Sequence, residues 1–426
     1  MEPREELTLE QIKLGEPAFW MLPPEVREGA FRTLRRERPV SFHAEIDDRV
    51  FPPGPGFWAL ARQADILYAG THPKLFCSGK GATSIADIPT EFLEFFGSMI
   101  NTDAPKHGRL RRLVSTAFTE RLLSRVERDV QLAASRVIDA VEEKGDCDFV
   151  TDIASPFPIR IICEMMGIPE SQHRFVFDQT NVILGLGDPE YSPGEVDLAT
   201  QLLGAGAALA DLMKDLRQSR LERPTEDLTS VLVHAEIDGD RLTEQEMGSF
   251  FILLVAAGNE TTRNAISHGM KALSDFPDQR RIWASDFDRV APTAIEEIVR
   301  WASPVIFMRR TATCDTEIGG QAVREGDKLL LFYNSGNRDE TVFADPYRFD
   351  VKRDPNDHVG FGGGPHFCLG ANLARREITV MFREIFRRLP DLQVTGEPER
   401  LLSAFINGIK HMPCRWAPVS RKGAEA

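Results

Sequence analysis

Residues 244–275 read as one uninterrupted helix, and no other stretch constrains the fold as strongly. Thr243, with Glu246 three residues on, makes a capping-box start, and Phe276-Pro277 ends the segment. At ~1.5 Å per residue such a helix is about 45–50 Å long, enough to cross a whole domain. Its centre is an apolar run, Phe250 to Ala257, that changes abruptly to Gly258-Asn-Glu-Thr-Thr262. A carboxylate and hydroxyls in the middle of a buried helix are costly unless satisfied or used. Glycine at mid-helix costs roughly 1 kcal/mol against alanine. The plain alternative is a solvent-facing turn whose hydroxyls bond back to preceding carbonyls.

A second string, Phe361-Gly-Gly-Gly-Pro-His-Phe-Cys-Leu-Gly370, runs straight into a second helix. That helix is readable from Ile378, Met381, Phe382, Ile385, Phe386 and Leu389, which share one 3.6-period face. Cys368 therefore sits at a helix mouth, where unpaired N–H groups and the macrodipole favour thiolate. Gly362, Gly363 and Gly364 are expected to give clearance for something flat.

The acidic balance, 51 Lys and Arg against 65 Asp and Glu for a net −14, argues against general binding to nucleic acid or to an anionic membrane. Six scattered cysteines without a C-x-x-C pair fit neither a zinc nor an iron–sulfur site, and they suggest a reducing compartment. The start MEPREELTLEQ reads as neither signal peptide nor anchor, and no apolar run reaches the roughly 18 residues that span a bilayer. The expectation is a cytoplasmic protein. Short helical patterns at 9–14 and 25–34 precede strand-like segments at 40–43 and 56–60, flanking a Pro/Gly turn. Helical periodicity then dominates to about residue 280, broken by loops at 78–90, 184–193 and 219–227, and residues 311–333 read as short antiparallel strands. With no repeat and no dividing linker, the fold class is mainly α with minor antiparallel β. One domain is expected over 10–418, with short tails at 1–9 and 419–426.

The cysteine string resembles the haem-ligand loop of the cytochrome P-450 monooxygenases, F-x-x-G-x-H/R-x-C-x-G. It matches at Phe361, Gly364, His366, Cys368 and Gly370. Ala257-Gly-Asn-Glu-Thr-Thr262 resembles the oxygen-activation motif of the same family. The resemblance implies the family's fold, with the long helix crossing over a haem b whose iron Cys368 ligates; the thiolate favours O–O cleavage. It implies that Gly258, beside Ala257, opens a groove for dioxygen, and that Glu260 and Thr261 relay protons to it. Glu297-Ile-Val-Arg300 would pair with Arg348 of Pro346-Tyr-Arg-Phe349, as a structural lock rather than chemistry. His107 and Arg111, four apart on one helix face, would bind a haem propionate through charge-assisted donors, with His366 and Arg310 as further partners. The doubled arginine leaves Arg309 as the alternative to Arg310. Arg109, Arg112, Arg375 and Arg376 are either solvated decoration or a docking patch for an acidic donor such as a ferredoxin.

Within that family, residues 255–269, 297–305 and 407–410 look like bacterial enzymes that hydroxylate the ends of methyl-branched lipids, whose relatives act on sterol side chains. This implies a monooxygenase that uses dioxygen and electrons from ferredoxin and its reductase to oxidise a C–H bond of a hydrophobic substrate. Pocket walls would come from Phe96, Met99, Ile100, Val255, Ala256, Ile306 and Phe405, each of which could equally be core. The rivals are a sterol side-chain hydroxylase, a peroxide-driven peroxygenase and a haem-binding sensor. The last two have no need of the pair Glu260 and Thr261.

Overall fold

A computed structural model of the chain describes residues 2–45, 52–117, 120–185, 188–191 and 197–418. The central helix runs Glu244–Asp275, and the capping box forms as read. Thr243 Oγ1 accepts from the Glu246 amide at 3.1 Å, and Glu246 Oε2 accepts from the Thr243 amide at 2.9 Å. Apolar residues on most of its faces make it a buried helix rather than an amphipathic one. Helices Thr90–Gly97, Pro156–Met166, Leu198–Glu222, Phe287–Ala302 and Ala371–Arg388 pack around it. The main core lies along this bundle.

Beside the bundle stands a five-stranded sheet in the order Val40–His43, Phe57–Leu60, Lys328–Phe332, Phe307–Ala312, Phe76–Cys77. One pairing departs from the antiparallel expectation: Phe57–Leu60 runs parallel to Lys328–Phe332. Parallel neighbours need a long crossover, and here almost the whole helical bundle is that crossover. A three-stranded sheet, Asp146–Asp148, Pro413–Arg415 and Gln393–Val394, closes the far side.

The N-terminal segment differs from its reading. Residues 9–14 form turns, not a helix, yet Ile12 and Leu14 are buried with Phe19, Trp20, Phe31, Phe307 and Phe332. The Arg4 amide donates to the Glu25 carbonyl at 2.8 Å, so this stretch lies against the helix Pro24–Glu37 instead of trailing as a tail. Residues 186–187, 192–193 and 419–426, read as loop and tail, lie outside the described residues. Among the described residues, no helix is long and apolar enough to cross a membrane.

The ionic lock also needs a correction. Glu297 and Arg300 are fully buried and pair at 2.7 Å, but Arg348 offers only its carbonyl, 3.3 Å from Arg300 Nη2. Arg353 takes the expected place, its Nε 3.1 Å from Glu297 Oε2. The chain turns after Phe349, with the Asp350 amide donating to Glu297 Oε1, which swings Arg353 inward and leaves the Arg348 side chain exposed.

Candidate functional site

The cysteine loop is closed by its own backbone. The Cys368 amide donates to the Phe361 carbonyl and the Phe367 amide to the Gly364 carbonyl, each at 3.0 Å. Gly364 is forced by packing as well as by its φ of +69: a Cβ there would lie 2.3 Å from the carbonyl oxygen of Gly70. That carbonyl belongs to the helix Gln63–Thr71, so the glycine answers a neighbouring helix rather than the expected flat ligand. Gly370 caps the helix Ala371–Arg388 and places Cys368 two residues before the cap. Cys368 is exposed in this loop. Burial pushes the Cys368 thiol up, against the Gly370 amide and the charges of Arg111 and Arg375. Burial thus opposes the helix mouth and the two arginines, and metal binding is what removes such a proton.

On the central helix, Leu254, Ala257, Gly258 and Thr261 form a half-covered stripe at helical spacing, with Ala257 the most open. Thr261 lies on it, its Oγ1 donating to the Ala257 carbonyl at 2.6 Å. Glu260 turns the other way. It is 1% exposed, ion-paired with Arg263, and accepts from Asn264 Nδ2 at 3.0 Å. The acid and the alcohol thus share a turn but not a face. A Cβ on Gly258 would lie 2.7 Å from Ile162 Cδ1, so this glycine admits the helix Pro156–Met166 rather than opening a groove by itself.

The expected pocket walls divide. Val255, Ala256 and Met99 are core residues, and Ile306 packs with the N-terminal aromatic cluster. Phe405 is half-buried, edge-on to Phe307 at 5.5 Å. Ile100 and Phe96 are half-buried, Phe96 standing edge-on to Phe95 at 4.9 Å. Leu253 and Leu254 were missed; they present the partly open face, two residues before Val255 and Ala256.

Four donors converge near the loop. The rings of His107 and His366 lie 4.2 Å apart, and burial, then the charges of Arg310, His107 and Arg111, hold His366 down to about 3. His107 is lowered likewise, by burial and by Arg111. Its Nε2 is buried and has no hydrogen-bond partner among the described residues. Asp103, the acid beside it, is spent on the amides of Ser78 and Gly79 at 2.8 and 2.7 Å. Among the described residues the Arg310 side chain donates only to the Arg309 carbonyl, whereas Arg309 is committed to Asp87 at 2.7 Å and to the carbonyls of Ile85 and Ala86. Strand alternation sends the two side chains to opposite faces of Phe307–Ala312. Buried donors without an acid are the complement of a dianion, and two carboxylates beside an open cysteine sulfur are what haem brings. The residues present fit that group.

A supporting layer went unread in the sequence. Glu296 accepts from Arg375 at 2.5 Å and from His358 at 2.9 Å, and these contacts hold its carboxyl near 2 despite burial. Arg375 in turn lies 4.5 Å over the Phe361 ring, a cation–π contact at the loop's first residue. Arg111 Nη2 donates to the Phe367 carbonyl at 2.8 Å, bracing the residue before the cysteine. Of the four arginines read as a patch, Arg109 pairs with Asp240 and Glu246, Arg375 with Glu296 and Arg376 with Glu127. Only Arg112 of the four is exposed.

Comparison with known proteins gives this geometry its family. The cytochrome P450 family model matches residues 206–399. The chain is 51% identical over 422 residues to the methyl-branched lipid omega-hydroxylase of Mycobacterium tuberculosis, covering 97% of each. It is 38% identical to the steroid C26-monooxygenase of Rhodococcus jostii, over 89% of this chain and 80% of that one. A Mycobacterium marinum cytochrome P450 solved in complex with pseudoionone superposes with a TM-score of 0.90 at 42% identity, covering 98% of this chain and 100% of that one. With its helical fold, long central helix and cysteine loop, the chain belongs to the cytochrome P450 family of haem-thiolate monooxygenases.

Proposed function

We propose that this monooxygenase inserts one oxygen atom of dioxygen into a terminal C–H bond of a methyl-branched lipid. The observation that carries the substrate class is the 51% identity to a methyl-branched lipid omega-hydroxylase, which runs almost end to end. The half-covered apolar side chains Leu253, Leu254, Ile100 and Phe96 support it, since they suit a hydrocarbon. A sterol side chain also ends in a branched hydrocarbon, and the 38% identity to a steroid C26-monooxygenase makes that the second reading.

Haem supplies the oxygen-activating chemistry when bound, with Cys368 as its ligand. His107, His366 and Arg310 would hold it by its carboxylates, and Arg111 holds the loop by the Phe367 carbonyl. Thr261 keeps a proton at Oγ1 on the open stripe, held there by the Ala257 carbonyl. Glu260 would feed protons to that hydroxyl after giving up Arg263 and Asn264 and turning to the open face. Leu253 and Leu254 exclude water and steer the chain end. Electrons enter from an acidic ferredoxin-type donor at the groove lined by Pro105, Gly108, Arg109, Arg111, Arg112 and Ser115. That groove adjoins the cysteine loop through Arg111.

Thr261→Ala tests the relay. Turnover with a branched fatty acid and a surrogate ferredoxin should shift from hydroxylated product to hydrogen peroxide, by roughly tenfold or more in their ratio. Unchanged coupling would refute the role of Thr261. Tight sterol binding without branched-lipid binding would move the assignment to the second reading.

A further inference from the structure

We propose that Cys147 and Cys414 are a modification site: the pair closes to an intramolecular disulfide under oxidising conditions. The two residues are far apart in sequence and give no motif, but they are direct partners across the antiparallel strands Asp146–Asp148 and Pro413–Arg415. Their sulfurs lie 3.6 Å apart, and Cys414 Sγ also donates to the Cys147 carbonyl at 3.4 Å. Directly opposed antiparallel residues have Cα atoms roughly 4.5–5.5 Å apart, inside the ~4.4–6.8 Å range that disulfides tolerate. Side-chain rotation alone brings the sulfurs to bonding distance, because the strands are already in register.

Two features make the backbone ready for the bond. Asp148, next to Cys147, accepts from the Val150 amide at 2.9 Å, from the Met412 amide at 3.1 Å and from His411 Nδ1 at 2.5 Å. The strand ends are thus pinned before any covalent link forms. Exposure is also unequal, since Cys147 is half-buried while Cys414 is 2% exposed. Cys147 is the sulfur that meets an oxidant, and Cys414 is the one that resolves it.

With hydrogen peroxide as the oxidant, the Cys147 sulfur attacks one oxygen, the O–O bond breaks, and a sulfenic acid and one water result. The Cys414 sulfur then attacks that sulfur. The S–S bond forms, and the sulfenic oxygen leaves with the second thiol proton as another water. Two thiols are oxidised by two electrons and one peroxide is reduced to two waters. The mutual hydrogen bond, reinforced by burial, pushes the Cys147 thiol up, so the pair answers sustained rather than momentary exposure. A monooxygenase that leaks peroxide supplies that exposure itself, but the bond formation does not depend on the substrate assignment. The link would tie residues 267 apart, a closure that restricts the unfolded chain strongly.

The test uses the full-length holoenzyme, incubated with hydrogen peroxide for hours, alkylated and digested without reductant. The expected result is a linked pair of peptides carrying Cys147 and Cys414, two hydrogens lighter than the separate thiol peptides, abolished by dithiothreitol and absent in Cys147→Ser. The unfolding midpoint of the oxidised wild type should rise by several degrees and fall back on reduction, with no such shift in Cys147→Ser. Exposed Cys314 reports that oxidant reached the protein. Recovery of Cys147 and Cys414 on separate peptides after Cys314 has reacted overturns the proposal.

Discussion

Gly258 sets how closely the helix Pro156–Met166 approaches the central one, because its missing side chain would meet Ile162 Cδ1. That neighbour is the end of a flexible side chain, so Gly258→Ala should be nearly neutral, the better helix propensity offsetting a small shift. Gly258→Val adds bulk that cannot swing aside and should cost about 1–3 kcal/mol in urea unfolding. Combined with Ile162→Ala, the loss should fall short of the sum of the singles by about 1 kcal/mol or more. Strict additivity would show that the contact is not what requires the glycine. The same residue shows where sequence reading stops. The cysteine string was legible because its matches sit at fixed local spacing, but what a Cβ would strike at Gly258 or Gly364 lies on another segment. For the same reason the partners of Glu260 went unread, and the pocket face was placed two residues along the helix, on Val255 and Ala256 rather than Leu253 and Leu254.

Between elements, the buried lock on the helix Phe287–Ala302 ties the bundle to the long loop that leads to the cysteine. Glu297 carries Arg300 and Arg353 together, and Arg300 also donates to the carbonyls of Asn337 and Pro346 at 2.8 and 2.9 Å. Removing one partner of a buried pair leaves the other charge uncompensated. Arg300→Ala should cost about 3–5 kcal/mol. Arg348→Ala, an exposed side chain that lends only its backbone, should stay within about 0.5 kcal/mol. Arg353→Ala should fall between them, as the half-buried rim of the lock. Comparable losses at Arg348 and Arg353 in chemical denaturation would restore the first reading of the motif. Element boundaries were readable where local chemistry sets them, as the capping box does for Glu244–Asp275. The parallel pairing of Phe57–Leu60 with Lys328–Phe332 was not, because the crossover between those strands is most of the molecule.

At the scale of the whole molecule, acid should be a specific weakness. His268, on the central helix, is buried and donates from Nε2 to the Asn407 carbonyl at 2.9 Å; burial holds it down to about 3, from an ordinary 6.5. A base whose folded pKa is depressed binds its proton more readily once unfolded. Its stabilising contribution is therefore complete above pH 6.5 and is lost progressively as pH falls from there toward 3. One unit below 6.5 the loss is about 1.4 kcal/mol for this group alone. His268→Gln, which can still donate to Asn407, should flatten the fall in urea midpoint between pH 7.5 and 5.5 by about that amount; an unchanged slope would mean His268 takes up no proton there. The family, the mainly helical fold and the ligand loop were all legible in residues 103–370, whereas the N-terminal cluster and the far sheet depend on contacts between distant segments. Cys368 binds haem iron as thiolate, and the decisive measurement is the absorption spectrum of the dithionite-reduced holoprotein under carbon monoxide. The account predicts a Soret band well to the red of that of histidine-ligated haem proteins, lost in Cys368→His; a wild-type band at the histidine-ligated position would contradict it.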